Sequence, residues 1–184
     1  MIGESFDGVI LAARTGADWA WTTLYRDLAP VVLGYLRAQR AAEPEDLTAE
    51  VFFQVVKSLN QFSGDEAAFR SWVFVIAHRK LLDDRRSRAR RPVEPADAEK
   101  IGANAAMGDV EQDTMRALGN ERVRRLLDGL TADQADVLLL RIIGDLSVNE
   151  VAQAMGKRTG AIKALQQRGL CRIRQRISDG AVSI

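Results

Sequence analysis

One cysteine, one histidine and four prolines are all that the 184 residues contain of these types. Cys171 alone cannot close an internal disulfide, which fits a reducing compartment. His78 and Cys171 alone supply no paired histidine or cysteine at metal-ligand spacing, and no glycine-rich lysine loop or recognisable nucleophile arrangement is present. An enzyme is therefore disfavoured, and no cofactor, metal or small-molecule substrate is expected. No apolar run approaches the roughly 20 residues that cross a bilayer. The N-terminus, with Glu4 and Asp7 and no base before Arg14, lacks the basic start of a secretory signal, so a cytoplasmic location is expected.

The net charge is only +1, but it is unevenly distributed. From Arg79 to Arg91 lie seven bases, Arg79, Lys80, Arg85, Arg86, Arg88, Arg90 and Arg91, against Asp83 and Asp84. From Lys157 to Arg176 there is no acid at all. Between the two blocks the charge reverses, with Glu94, Asp97, Glu99, Asp109, Glu111 and Asp113 relieved by Lys100. Two basic blocks around an acidic connector suggest two polyanion-binding surfaces on one chain.

The chain reads as all-α, with two small helical domains (1–91 and 119–184) joined by a flexible acidic linker over 92–118. Trp19, Leu24, Leu28, Val31, Val32, Tyr35 and Leu36 recur at helical spacing, and Pro30 is expected to kink or divide that segment. Leu47, Val51, Val55 and Leu59 mark one face of a helix beginning after Pro44. A loop from Asn60 to Asp65 follows, with Asp65 placed to cap a helix carrying Phe69, Trp72, Val73, Ile76 and Leu81. In the second half, Thr131 with Gln134 and Ser147 with Glu150 have capping-box spacing and delimit helices near 121–128, 132–143, 148–155 and 159–177.

Residues 148–165 carry a helix-turn-helix pattern. Ala152 is small where two helices would cross, Gly156 permits a left-handed turn, and Ile162 and Leu165 anchor the second helix. Projected at 3.6 residues per turn, that helix turns Ile162, Leu165, Ile173 and Ile177 inward and Ala164, Gln167, Arg168 and Cys171 outward. Arg158, Thr159, Ala161, Lys163, Gln167 and Arg168 are the expected DNA contacts, since a recognition helix reads bases mainly with its N-terminal residues.

Alone, this motif fits an ordinary repressor; its surroundings narrow the reading. Residues 130–141, Gly144-Asp145-Leu146-Ser147 and the motif together resemble region 4 of bacterial RNA polymerase sigma factors. Leu24-Tyr25-Arg26 resembles region 2.1, residues 46–55 region 2.2, and residues 69–80 regions 2.3 and 2.4. The absence of longer middle regions resembles the extracytoplasmic-function (ECF) subgroup of the sigma-70 family. The resemblance implies a specificity subunit that binds core polymerase, through the clamp helices of its largest subunit and the flap of its second-largest, and directs promoter recognition and transcription initiation. It implies core contacts at Asp46, Glu50, Phe53 and Gln54. It implies −10 contacts at Asn60, Gln61, Phe62, Ser63, Arg79, Lys80, Arg85 and Arg86, and −35 contacts on the recognition helix. A controlling anti-sigma factor is a further implied partner. Trp72, on the apolar stripe, is read as structural, and His78 as structural or DNA-proximal and not a general base.

Overall fold

A computed structural model describes residues 2–90 and 125–179. The proposed linker, both domain boundaries and the start of the helix expected near 121–128 lie outside them. Among the described residues every regular element is helical: α1 (Phe6–Arg14), α2 (Asp18–Ala38), α3 (Pro44–Ser58) and α4 (Glu66–Arg90) in the first half, and α5 (Ala132–Ile142), α6 (Val148–Met155) and α7 (Thr159–Ser178) in the second. Short 3₁₀ turns at Gly3–Ser5 and Leu59–Gln61 and helical residues at 125–127 accompany them.

The apolar positions spaced along α2, α3 and α4 converge on one core. Leu24, Val32, Tyr35, Leu36, Val51, Val55, Phe69, Phe74 and Leu81 are each at most 1% exposed. Burying each such large side chain contributes roughly 1.5–3 kcal/mol before ordering costs. Helix α1, not anticipated from the sequence, adds Phe6, Val9, Ile10 and Ala13 to the same core. Pro30 does not divide α2, which runs unbroken across it for 21 residues. Proline costs the helix one amide donor, and the heavily buried face from Leu24 to Leu36 holds the segment together around that gap.

In the second half both capping boxes form. Thr131 caps the Gln134 amide while Gln134 reaches back to Thr131, and Ser147 and Glu150 do the same. Gly156 ends α6 at φ 62°, the left-handed conformation that the turn requires. Ile162 is fully buried, whereas Leu165, Ile173 and Ile177 are half-buried. Gly169 lies where α7 crosses α5: a Cβ there would stand 3.0 Å from Leu138 Cδ1.

The two halves pack directly on each other. Arg70 of α4 donates from Nε to the Gly144 carbonyl at 2.9 Å and from Nη2 to that of Ile143 at 3.0 Å. Ser71 donates to Glu150. Gln39 and Arg85 both reach Asp136. Gly144 has no room for a side chain, because a Cβ would meet the Leu140 carbonyl at 2.6 Å and Phe74 at 3.3 Å.

Candidate nucleic-acid interface

The recognition helix displays its polar residues as its periodicity requires. Arg158 is the N-cap of α7, and Thr159, Ala161, Lys163, Ala164, Gln167, Arg168 and Cys171 are all exposed, opposite the buried Ile162. The Arg168 guanidinium folds back to the Ala164 carbonyl at 3.2 Å, a weak local tether that a phosphate can displace. Lys163, Gln167, Cys171 and Arg174 border an open concavity of about 550 Å³ that also touches Arg141 and Val148. Lys157, just before the helix, pairs with Asp133 at 3.0 Å.

A second polar surface lies on the first half. Asn60, Gln61 and Ser63 are exposed, whereas Phe62 is 8% exposed. Its ring lies 5.2 Å from Phe69 and 5.2 Å from Trp72. Phe62 thus anchors the loop and leaves its polar neighbours outside. Trp72 is half-buried instead of fully in the core, and it walls a concavity of about 420 Å³. Gln54, Gln61, Arg79 and Lys80 face the same space. An aromatic wall beside amide and cationic groups can stack an unpaired base and neutralise its phosphate.

The basic end of α4 is less free than its composition suggests. Arg79 is exposed, but Lys80 pairs with Glu50 at 2.9 Å and Arg86 with Asp83 at 3.2 Å. Arg85 turns to the seam, where it meets the Gln39 side-chain oxygen at 2.7 Å and Asp136 at 3.3 Å. Nothing in linear spacing could have shown that partner, 51 residues away.

Helix α3 carries the third surface. Asp46, Glu50 and Phe53 are exposed, Phe53 to 61%, and Gln54 is half-buried and donates to Ser58 at 2.7 Å. Lys57 stands over the Phe53 ring at 4.1 Å. Beside them runs an apolar groove of about 340 Å³ between α2 and α3, lined by Trp21, Tyr25, Phe52 and Val56. Trp21 and Tyr25 on α2, and Phe52 and Val56 on α3, are each four residues apart, so each pair lies on one helix face.

Glu150 at the seam and His78 inside the first half both have shifted titration. Burial alone raises the Glu150 carboxyl, but hydrogen bonds from Ser147 and Ser71, with help from Arg141, outweigh it and hold the group below its ordinary value. His78 is 1% exposed and shares a hydrogen bond of 3.0 Å with the Tyr35 hydroxyl. Burial pushes its imidazole below its ordinary value, opposed by the charge of Asp136, reinforced by Arg85 and opposed again by Asp133. The histidine is structural.

Two helical halves, one ending in a helix-turn-helix and the other in a basic helix beside an aromatic concavity, define a DNA-directed transcription factor of the sigma-70 type. The profile of Sigma-70 region 2 matches residues 24–91, and that of Sigma-70 region 4 matches residues 120–173. The ECF RNA polymerase sigma factor SigD of Mycobacterium tuberculosis is 30% identical over 96% of this chain and 86% of its own. BldN of Streptomyces coelicolor, also an ECF RNA polymerase sigma factor, is 30% identical over 92% of this chain and 64% of its own. The solved structure of CnrH in complex with the cytosolic domain of CnrY shares the fold, with a TM-score of 0.66 over 96% of this chain and 99% of that one, at 18% identity. The chain belongs to the ECF RNA polymerase sigma factors, and it acts by binding core polymerase and directing promoter recognition and transcription initiation. No helix among the described residues is long and apolar enough to cross a membrane.

Proposed function

We propose that the three surfaces divide the work of initiation. The α7 face reads the −35 element with Arg158, Thr159, Ala161, Lys163, Gln167 and Arg168. The loop residues Asn60, Gln61 and Ser63, together with Arg79, Lys80 and Arg86, hold the −10 element, while Phe62 sets the loop's shape and Arg85 stays with Gln39 and Asp136 at the seam. Asp46, Glu50, Phe53 and Gln54, extended by the groove at Tyr25 and Val56, dock on core polymerase. The domains divide at about 1–91 and 119–184, with 92–118 linking them.

One observation carries this reading. Exposed DNA-type residues on α7 share a chain with a second, separate concavity in which Trp72, Gln61 and Arg79 face one space. A repressor needs only the first. Phosphate contacts at both make affinity fall with salt.

The protein performs no catalysis of its own and works in the cytoplasm. Its control falls to an anti-sigma protein covering the α2–α3 groove and the exposed Phe53. The similarly folded CnrH has been solved in complex with the cytosolic domain of CnrY, and that pairing supports a protein partner of this kind.

The direct experiment is transcription in vitro with purified core polymerase. Lys163→Ala combined with Arg168→Ala should abolish dependence on the upstream element while sparing core binding. Survival of upstream dependence would remove α7 from the reading surface.

A further inference from the structure

The loop that presents Asn60, Gln61 and Ser63 is held by a part of the chain that precedes the Sigma-70 region 2 match at residues 24–91. Helix α1 buries Phe6 at 4% exposure, and its ring lies 5.7 Å from Phe69. Phe69 in turn lies 5.2 Å from Phe62, the loop's buried anchor. At the other end of α1, Arg14 donates from Nη2 to the backbone carbonyl of Phe62 itself. The segment before α1 adds a third tie: the Glu66 carboxylate, at the start of α4, accepts from the amides of Ile2 and Gly3, the latter at 2.9 Å. The loop is thus gripped at its middle by a guanidinium and an aromatic chain, and just beyond its end by a carboxylate.

The loop's shape requires a glycine at its end, where no side chain fits. Gly64 sits at φ 151°, and a Cβ there would come within 2.7 Å of Ala68 and 3.3 Å of the Phe62 ring. Inside the loop, Phe62 N–H reaches the Leu59 carbonyl at 3.1 Å, and Asp65 caps the Ala68 amide at 2.8 Å. Base reading requires donors and acceptors held within a fraction of an ångström of their target. A charged hydrogen bond to the anchor's carbonyl supplies that fixation more strongly than a neutral one.

We infer that α1 is a strut for promoter reading and that Arg14 is a positioning residue, fixing the Phe62 carbonyl so that Asn60, Gln61 and Ser63 meet the −10 bases in one conformation. The inference rests on the proposed reading of that loop. Arg14 acts through the loop, not on a phosphate, and this makes it separable from the bases of α4. Removing a phosphate contact weakens binding to every sequence alike and lowers the salt slope by about 0.7 on a single strand. Removing a positioning contact leaves the slope unchanged and erodes discrimination between right and wrong bases.

The test uses the full chain, alone and as holoenzyme with core polymerase. Hydrogen exchange of the Phe62 amide reads the strut directly. Binding of single-stranded oligonucleotides carrying the mapped −10 element, or one substituted base, reads discrimination. In Arg14→Gln the Phe62 amide should exchange about tenfold faster, the scale of one lost charged hydrogen bond. Discrimination should fall about fivefold, within the range that one misread base commands, with the salt slope and core affinity unchanged. Arg14→Lys should recover part of both, and Glu66→Gln should loosen the loop to a smaller degree. Unaltered exchange overturns the strut, and faster exchange with intact discrimination overturns its link to reading. A lower salt slope makes Arg14 a phosphate contact and overturns the positioning role. If Gln61→Ala and Asn60→Ala leave discrimination untouched while exchange still responds to Arg14→Gln, the loop's proposed role fails and the inference falls with it.

Discussion

Arg85 and Asp136 face each other 3.3 Å apart across the seam between the two halves, with the Asp136 side chain 4% exposed and that of Arg85 29%. Gln39 closes the triad, donating from Nε2 to the same carboxylate oxygen at 2.5 Å. A base expected on composition to meet DNA is therefore committed, in this arrangement, to the opposite domain. Asp136→Ala leaves Gln39 Nε2 without its acceptor and removes the counter-charge of a partly buried guanidinium, which keeps its bonds to Gln39. Since deleting one member of a buried polar group costs more than the pair contributes, we expect a loss of about 1–3 kcal/mol, concentrated at the seam. Calorimetry of the full chain should show one unfolding transition for the parent and two for the variant.

The glycine at the seam gives a steric counterpart. Gly144→Ala brings a methyl within 2.6 Å of the Leu140 carbonyl and 2.7 Å of Leu146. Backbone cannot yield as a flexible side chain does. Denaturant titration should show destabilisation of about 1–3 kcal/mol, the usual scale of overpacking.

Much of the second half was legible because its determinants are local. Thr131 with Gln134, Ser147 with Glu150, and Gly156 act within a few residues of themselves, so their spacing alone marks the helix ends. The exposed face of α7 followed from the same periodicity. The seam was not legible: Gln39 and Asp136 are 97 residues apart, and a polar pair leaves no periodic trace. That Phe62 is buried and Trp72 only half-buried was not legible, because the packing of Phe62, Phe69 and Trp72 on one another decides which ring turns inward. Helix α1 was readable in principle, for Phe6, Val9, Ile10 and Ala13 hold one helical stripe.

His78 sets a pH dependence of folding. With its folded pKa lowered by burial below the ordinary 6.5, the unfolded chain binds the proton more readily. Stability is fully present above pH 6.5 and is lost as pH falls from there through the lowered folded value, at no more than about 1.4 kcal/mol per pH unit. His78→Gln should flatten that part of the curve. Denaturation midpoints at successive pH values for both proteins measure the difference; Glu150, whose carboxyl is also lowered, acts in a more acidic window.

Phe53 separates fold from docking. It is 61% exposed and touches Lys57 of its own helix. Phe53→Ala should change folding stability by no more than about 0.5 kcal/mol, yet weaken core polymerase binding by about tenfold or more, as loss of an aromatic anchor does. Tyr25→Ala, at the adjoining groove, should act in the same direction. A competition titration against the parent protein for limiting core polymerase measures both.

On this proposal the two DNA-reading surfaces become selective only when core polymerase holds them. Promoter-specific initiation in a reconstituted system decides it, with start sites mapped and binding of the isolated chain to the same duplex followed in parallel. Chain and core should co-elute, start at one position and open the DNA there, while the chain alone grips the intact duplex only weakly. A chain that ignores core polymerase and binds double-stranded sites tightly by itself would contradict it.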